Sequence, residues 1–172
     1  TVTDADWAHL LRAVREHCAA RQERLILCSG SLPPGAPSGG YAQIVQLGHE
    51  LGCEVIVDAA RDVLARALDA GADLVSPNVS EAEATLAGSA EPIGEPVDDD
   101  AADVPERAQT AAAGLLRRAA RWAVVTAGSA GSAVAAPGYA AWLTAPHVVP
   151  AHTLGASPPL LAGVAPAPLP CR

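Results

Sequence analysis

Lysine, methionine and phenylalanine are absent from this 172-residue chain. Its 11 basic residues are therefore all arginine, and chemistry that needs a side-chain amine is excluded. Aromatic residues make up only 3% of the sequence while hydrophobic residues make up 50%, so a core must be built from Ala, Val, Leu and Ile. The cysteines, Cys18, Cys28, Cys53 and Cys171, form no C-x-x-C pair, which argues against a zinc site. Cys28 and Cys53 stand in or beside apolar runs and read as buried thiols. Positive charge is also scarce. The formal net charge is -8, the wrong sign for a nucleic-acid surface, which needs clustered cations against phosphate. No signal peptide and no apolar run of membrane-spanning length is visible. The expectation is a cytoplasmic protein with reduced thiols that binds neither nucleic acid nor membrane.

What is present is an alternation of helix and strand. Trp7, Leu10, Leu11 and Val14 recur at helical spacing over Asp4 to Ala20, with Thr3 as N-cap. Short apolar strands follow at Arg24–Ser29, Glu54–Asp58, Asp73–Ser76 and Trp122–Thr126. Helices are expected at 41–51, 61–70, 80–86 and 106–120, several of them closed by glycine. Ser80 and Glu83 have the spacing of a capping box. Gly131–Ala136 and Tyr139–Leu143 flank Pro137-Gly138 and read as two short strands around a turn. This order implies an α/β fold with a mainly parallel sheet and right-handed crossovers. Residues 1–165 form the domain; 91–105 are an acidic loop within it, and 166–172 are a proline-rich tail. The run Asp98-Asp99-Asp100 reads as a solvated turn rather than a metal site.

Five segments carry a resemblance. They are Ser29-Gly30-Ser31-Leu32-Pro33-Pro34-Gly35, Val57-Asp58, Pro77-Asn78-Val79-Ser80-Glu81, Val125-Thr126-Ala127-Gly128-Ser129-Ala130-Gly131, and Thr153 to Gly163. In order and spacing they resemble the ribokinase/PfkB family of carbohydrate kinases, and within it the phosphosugar branch of 1-phosphofructokinases and tagatose-6-phosphate kinases. The resemblance implies a three-layer ribokinase-like core, incomplete at both ends, because the family's N-terminal portion and closing C-terminal helices have no counterpart. It also implies ATP and Mg²⁺ as cofactors and a phosphosugar such as fructose 1-phosphate as acceptor.

By resemblance, Gly30, Ser31 and Asp58 border the substrate. Asn78 and Glu81, the family's Asn-x-x-Glu, place Mg²⁺. Thr126, Gly128 and Gly131, with Gly155, Ala156 and Ser157, face the nucleotide. Each has a plainer reading from the residues alone. The first loop is a rigid turn. Asp58 lines the crevice or satisfies a loop amide. Asn78 and Glu81 cap a helix, and Gly128 and Gly131 serve a tight turn. Ser76 stands where the phosphosugar branch has Lys.

The fifth segment departs most. Where the family has Gly-Ala-Gly-Asp, with Asp as the base that activates the sugar hydroxyl, this chain has Gly155-Ala156-Ser157-Pro158 followed by Pro159. Pro158 cannot accept a proton, so no catalytic residue is assigned. Loss of a general base costs about 10²–10⁴ in rate, and loss of an anion-binding amide about 10²–10³. His152 precedes this loop and reads as a surface residue rather than a substitute base. The expected activity is an impaired phosphosugar kinase; the alternative is a non-catalytic remnant or nucleotide-binding module. Loss of the N-terminal portion exposes a sheet edge that a partner chain would cover.

Overall fold

The computed structural model describes residues 1–21, 25–88 and 102–144. The proline-rich tail, the segment Thr153 to Gly163, His152 and the Asp98–Asp100 run lie outside these residues.

Among the described residues five helices and six strands follow in order: α1 Asp4–Arg21, β1 Leu25–Ser29, α2 Gly40–Glu50, β2 Glu54–Asp58, α3 Arg61–Asp69, β3 Leu74–Val75, α4 Val79–Ala87, α5 Val104–Arg118, β4 Trp122–Ala127, β5 Gly131–Ala136 and β6 Tyr139–Thr144. The start of α1 is fixed by Thr3, as its sequence position suggests. The Asp6 amide donates to Thr3 Oγ1 at 3.2 Å, and the Thr3 amide donates to Asp6 Oδ2 at 2.9 Å.

The strands form one sheet in chain order, β1 to β6. β1 through β4 pair in parallel. β5 and β6 return antiparallel as a hairpin around Pro137-Gly138, because that turn is too short for a parallel crossover. The sheet is thus mostly parallel, as the element order implies.

Side-chain alternation divides the sheet into two faces. Val55, Val57, Val75, Ala123 and Val125 join a large cluster to which all five helices contribute, including Trp7, Val45, Leu64, Leu68 and Leu115. Ile56, Leu74 and Val124 form a second cluster on the opposite face, and none of the described helices contributes to it. Leu64, Leu68, Leu74 and Leu115 are fully buried, each stabilising the fold by roughly 1.5–3 kcal/mol relative to exposure. Cys28 and Cys53 are buried, as expected; Cys18 is buried as well. Among the described residues β1 is one edge strand, with Leu27 43% exposed.

Most boundaries shift by a residue or two from the sequence reading, and three differences bear on the site. β3 is reduced to two residues. α5 begins at Val104, not Glu106, since Pro105 sits in the first turn, where its missing amide costs nothing. The capping box of α4 is formed by Asn78 and Glu81, not Ser80 and Glu83. Asn78 is extended and offers Oδ1 to the Glu81 amide at 2.9 Å, while Glu81 Oε2 accepts from the Asn78 amide at 3.0 Å. Both pairs have box spacing. Asn78 prevails because the helix already includes Val79, which leaves Ser80 inside the first turn and Glu83 free to bind Arg107 through two bonds of 2.8 and 2.9 Å.

Candidate functional site

The carboxyl ends of β1 to β4 lie along one edge, the position where open α/β sheets bind ligands. Register places the candidate residues there in a row. Ser29 is paired with Asp58. Val57 is paired with Val75, so Asp58 stands beside Ser76. One strand further, Asn78 bridges to Thr126, whose amide donates to the Pro77 carbonyl at 3.0 Å. The structure therefore brings Gly30, Asp58, Asn78 and Thr126 to a single rim.

The loop after β1 is held from both sides. Gly30 has φ 89, a left-handed conformation that suits glycine, and its amide donates to the Asp58 carbonyl at 2.9 Å. The phenol of Tyr41, from the first turn of α2, lies 3.1 Å from the carbonyl oxygens of both Ser29 and Gly30. Ser31 is exposed on the loop.

Asp58 accepts from Ser29 Oγ at 3.0 Å. Its side chain thus meets a hydroxyl, while its backbone carbonyl takes the loop amide. Burial raises the Asp58 carboxyl above its usual range, partly offset by the Ser29 hydroxyl. Burial, with Cys28 and Asp58 nearby, also raises Tyr41. Burial alone pushes Cys28 up to about 11.

Asn78 and Glu81 lie on the rim, and each serves the capping box. That box uses Oε2 of Glu81 and leaves its second oxygen. One carboxylate beside an amide oxygen fits a Mg²⁺ ion that keeps waters and takes its remaining ligands from phosphates. Among the described residues no group of three or more His, Cys, Asp or Glu could hold a metal by itself.

Thr126, Gly128 and Gly131 form the β4–β5 turn, closed by the Ala130 amide donating to the Ala127 carbonyl at 3.0 Å. Gly131 is irreplaceable on steric grounds. Its φ is 142, and a Cβ there would run into the Leu143 carbonyl and sit 2.9 Å from the Trp142 ring. Gly155, Ala156 and Ser157 lie outside the described residues.

Two rim residues escape a reading of the sequence. Tyr41 reads as the start of an amphipathic helix, and nothing local marks its bond back to the loop. Arg61 reads as a helix opener, yet it has φ 60, unlike any other non-glycine residue described. A groove also runs between α4 and α5, lined by Glu83, Leu86, Arg107 and Gly114. It lies in the helical layer, where Glu83 pairs with Arg107 at 2.8 Å.

The sequence pattern of pfkB family carbohydrate kinases matches residues 2–156. D-tagatose-1-phosphate kinase of Klebsiella oxytoca is 41% identical over 69 residues, which are 40% of this chain and 22% of that protein. 1-Phosphofructokinase of Rhodobacter capsulatus is 32% identical over 161 residues, or 93% of this chain and 46% of that protein. The tetrameric inhibited form of phosphofructokinase-2 from Escherichia coli superposes with a TM-score of 0.72 at 24% identity, covering 90% of this chain and 47% of that one. The chain spans less than half the length of each. No described helix is long and apolar enough to cross a membrane.

Proposed function

The chain belongs to the pfkB family of carbohydrate kinases, and from that premise we propose that it is the nucleotide-side part of an ATP-dependent kinase for a phosphosugar such as fructose 1-phosphate, with turnover impaired at Pro158. The observation that carries this reading is the rim itself. Gly30, Asp58, Asn78 and Thr126 come from four separate segments and meet at the carboxyl ends of adjacent parallel strands.

In this reading Glu81, with Asn78, holds the Mg²⁺ of MgATP, and the ion neutralises phosphate charge. The turn at Thr126, Gly128 and Gly131 approaches the nucleotide closely, with Gly155, Ala156 and Ser157 following. The loop at Gly30 and Ser31, tied to Asp58, borders the sugar. Pro158 supplies no proton acceptor for the sugar hydroxyl. A non-catalytic nucleotide-binding module is the second reading, and Pro158 is what favours it.

Thermal melts with and without MgATP, followed by a coupled assay on fructose 1-phosphate, test both. Stabilisation by MgATP with negligible turnover is expected. Turnover at the usual kinase rate of about 1–100 s⁻¹ would refute the impairment. Turnover gained by Pro158→Asp would support the kinase reading over the binding module.

A further inference from the structure

We propose that Trp7 is a positioning residue for the phosphosugar, holding the loop between β1 and α2 at the rim in the arrangement that meets the ligand. The proposal rests on the kinase reading above, in which Gly30 and Ser31 of that loop border the sugar, and deepens it. α1 is an 18-residue helix, yet of its described side chains only Trp7 and Cys18 are buried. Of the three tryptophans in the chain, Trp7 alone is buried, at 6% exposure.

The indole packs where the loop enters α2. A Cβ on Gly40 would come within 2.7 Å of the Trp7 ring and 3.2 Å of Leu32 Cδ2, so the ring, Leu32 and the first residue of α2 close on one point. Trp7 Nε1 donates to Gln43 Oε1 at 2.7 Å, which fixes the ring against α2. The residues just before α1 reach the same loop. The Val2 amide donates to the Pro34 carbonyl at 2.8 Å, and a Cβ on Gly35 would run into the Val2 carbonyl.

The opposite end of the loop is held by Tyr41 at the carbonyls of Ser29 and Gly30. Ser31, which is exposed, thus stands between two fixed neighbours, Gly30 under the Tyr41 phenol and Leu32 beside the Trp7 indole. Two short turns brace the rest, the Ala36 amide donating to the Pro33 carbonyl at 3.0 Å and the Gly40 amide to the Pro37 carbonyl at 2.8 Å. A loop ordered in this way before the ligand arrives does not charge its conformational entropy against binding. Removing the indole frees Leu32, and with it Ser31, so the ordering cost falls on any ligand that meets this loop. A ligand that meets only the Asn78–Glu81 pair and the β4–β5 turn is spared. Fructose 1-phosphate and MgATP therefore respond differently.

The test is calorimetric titration of the full chain and its variants with fructose 1-phosphate and, separately, with MgATP. Trp7→Ala should weaken fructose 1-phosphate about tenfold and leave MgATP within about twofold. Trp7→Phe, which keeps an aromatic ring against Gly40, should restore fructose 1-phosphate to within about threefold of the parent. Cys18→Ala, at the other buried position of α1, should leave both affinities unchanged. Unchanged fructose 1-phosphate affinity in Trp7→Ala, equal weakening of both ligands, or the same selective loss in Cys18→Ala would overturn the proposal and leave the kinase reading standing. If Trp7→Ala shows no cooperative melt, Gln43→Leu decides. It alters an exposed position, removes only the bond to the indole, and should weaken fructose 1-phosphate about threefold; parental affinity would overturn the proposal. Failure of the parent to bind fructose 1-phosphate would overturn the phosphosugar reading and this proposal with it.

Discussion

Asn78 and Glu81 hold each other's backbone, the asparagine oxygen at 2.9 Å from the Glu81 amide and the glutamate oxygen at 3.0 Å from the Asn78 amide. The pair that the family resemblance links to Mg²⁺ is also the pair that starts α4. The two roles separate by substitution. Asn78→Ala should cost about 1 kcal/mol of stability through loss of the cap. Glu81→Gln keeps a residue able to complete the box, so its unfolding free energy in urea should change by less than about 0.5 kcal/mol while affinity for MgATP falls. Unchanged MgATP affinity in Glu81→Gln would assign the pair to capping alone.

Tyr41→Phe removes the phenol that lies against the carbonyls of Ser29 and Gly30. A loss of about 1 kcal/mol is expected from urea unfolding, with faster amide exchange in the loop after β1. Exchange rates equal to the parent's would show that the two prolines hold this loop without Tyr41.

Cys28 contributes to the alkaline limb of stability. Its folded pKa of about 11 lies above the reference value of 9.0, so the native state retains a proton that the unfolded chain releases. This contribution is fully present below pH 9 and is lost as pH rises through about 11. Melting temperature should therefore fall over that interval, and less steeply in Cys28→Ala. Parallel curves for the two proteins would place the alkaline loss elsewhere.

Much of this architecture is legible in the sequence, for identifiable reasons. The strand Glu54–Asp58 and the hairpin around Pro137-Gly138 announce themselves through short apolar runs ended by turn residues. The rim residues Asp58 and Asn78 follow because they end such runs. The capping box is misread because Ser80–Glu83 and Asn78–Glu81 have the same spacing, and the choice between them depends on whether the helix starts at Val79. Arg61 is invisible for a related reason. Its left-handed backbone is set by how β2 passes into α3, not by the residues around it.

Leu27 is 43% exposed on the edge strand β1, whose outer backbone groups have no strand partner among the described residues. An uncharged apolar edge invites pairing with another chain. Leu27→Lys should lower the apparent mass in light scattering at high concentration without changing the melting temperature by more than a few degrees. Identical scattering from parent and variant would show that this edge does not drive association.

Strand order that follows chain order also bears on how the molecule is made. Each strand from β2 onward docks against the one synthesised just before it, so no pairing has to wait for a distant part of the polypeptide. Loop-closure entropy stays small at every addition. The sheet can grow from β1 outward as the chain leaves the ribosome, and the nascent edge is always the one the next strand will cover.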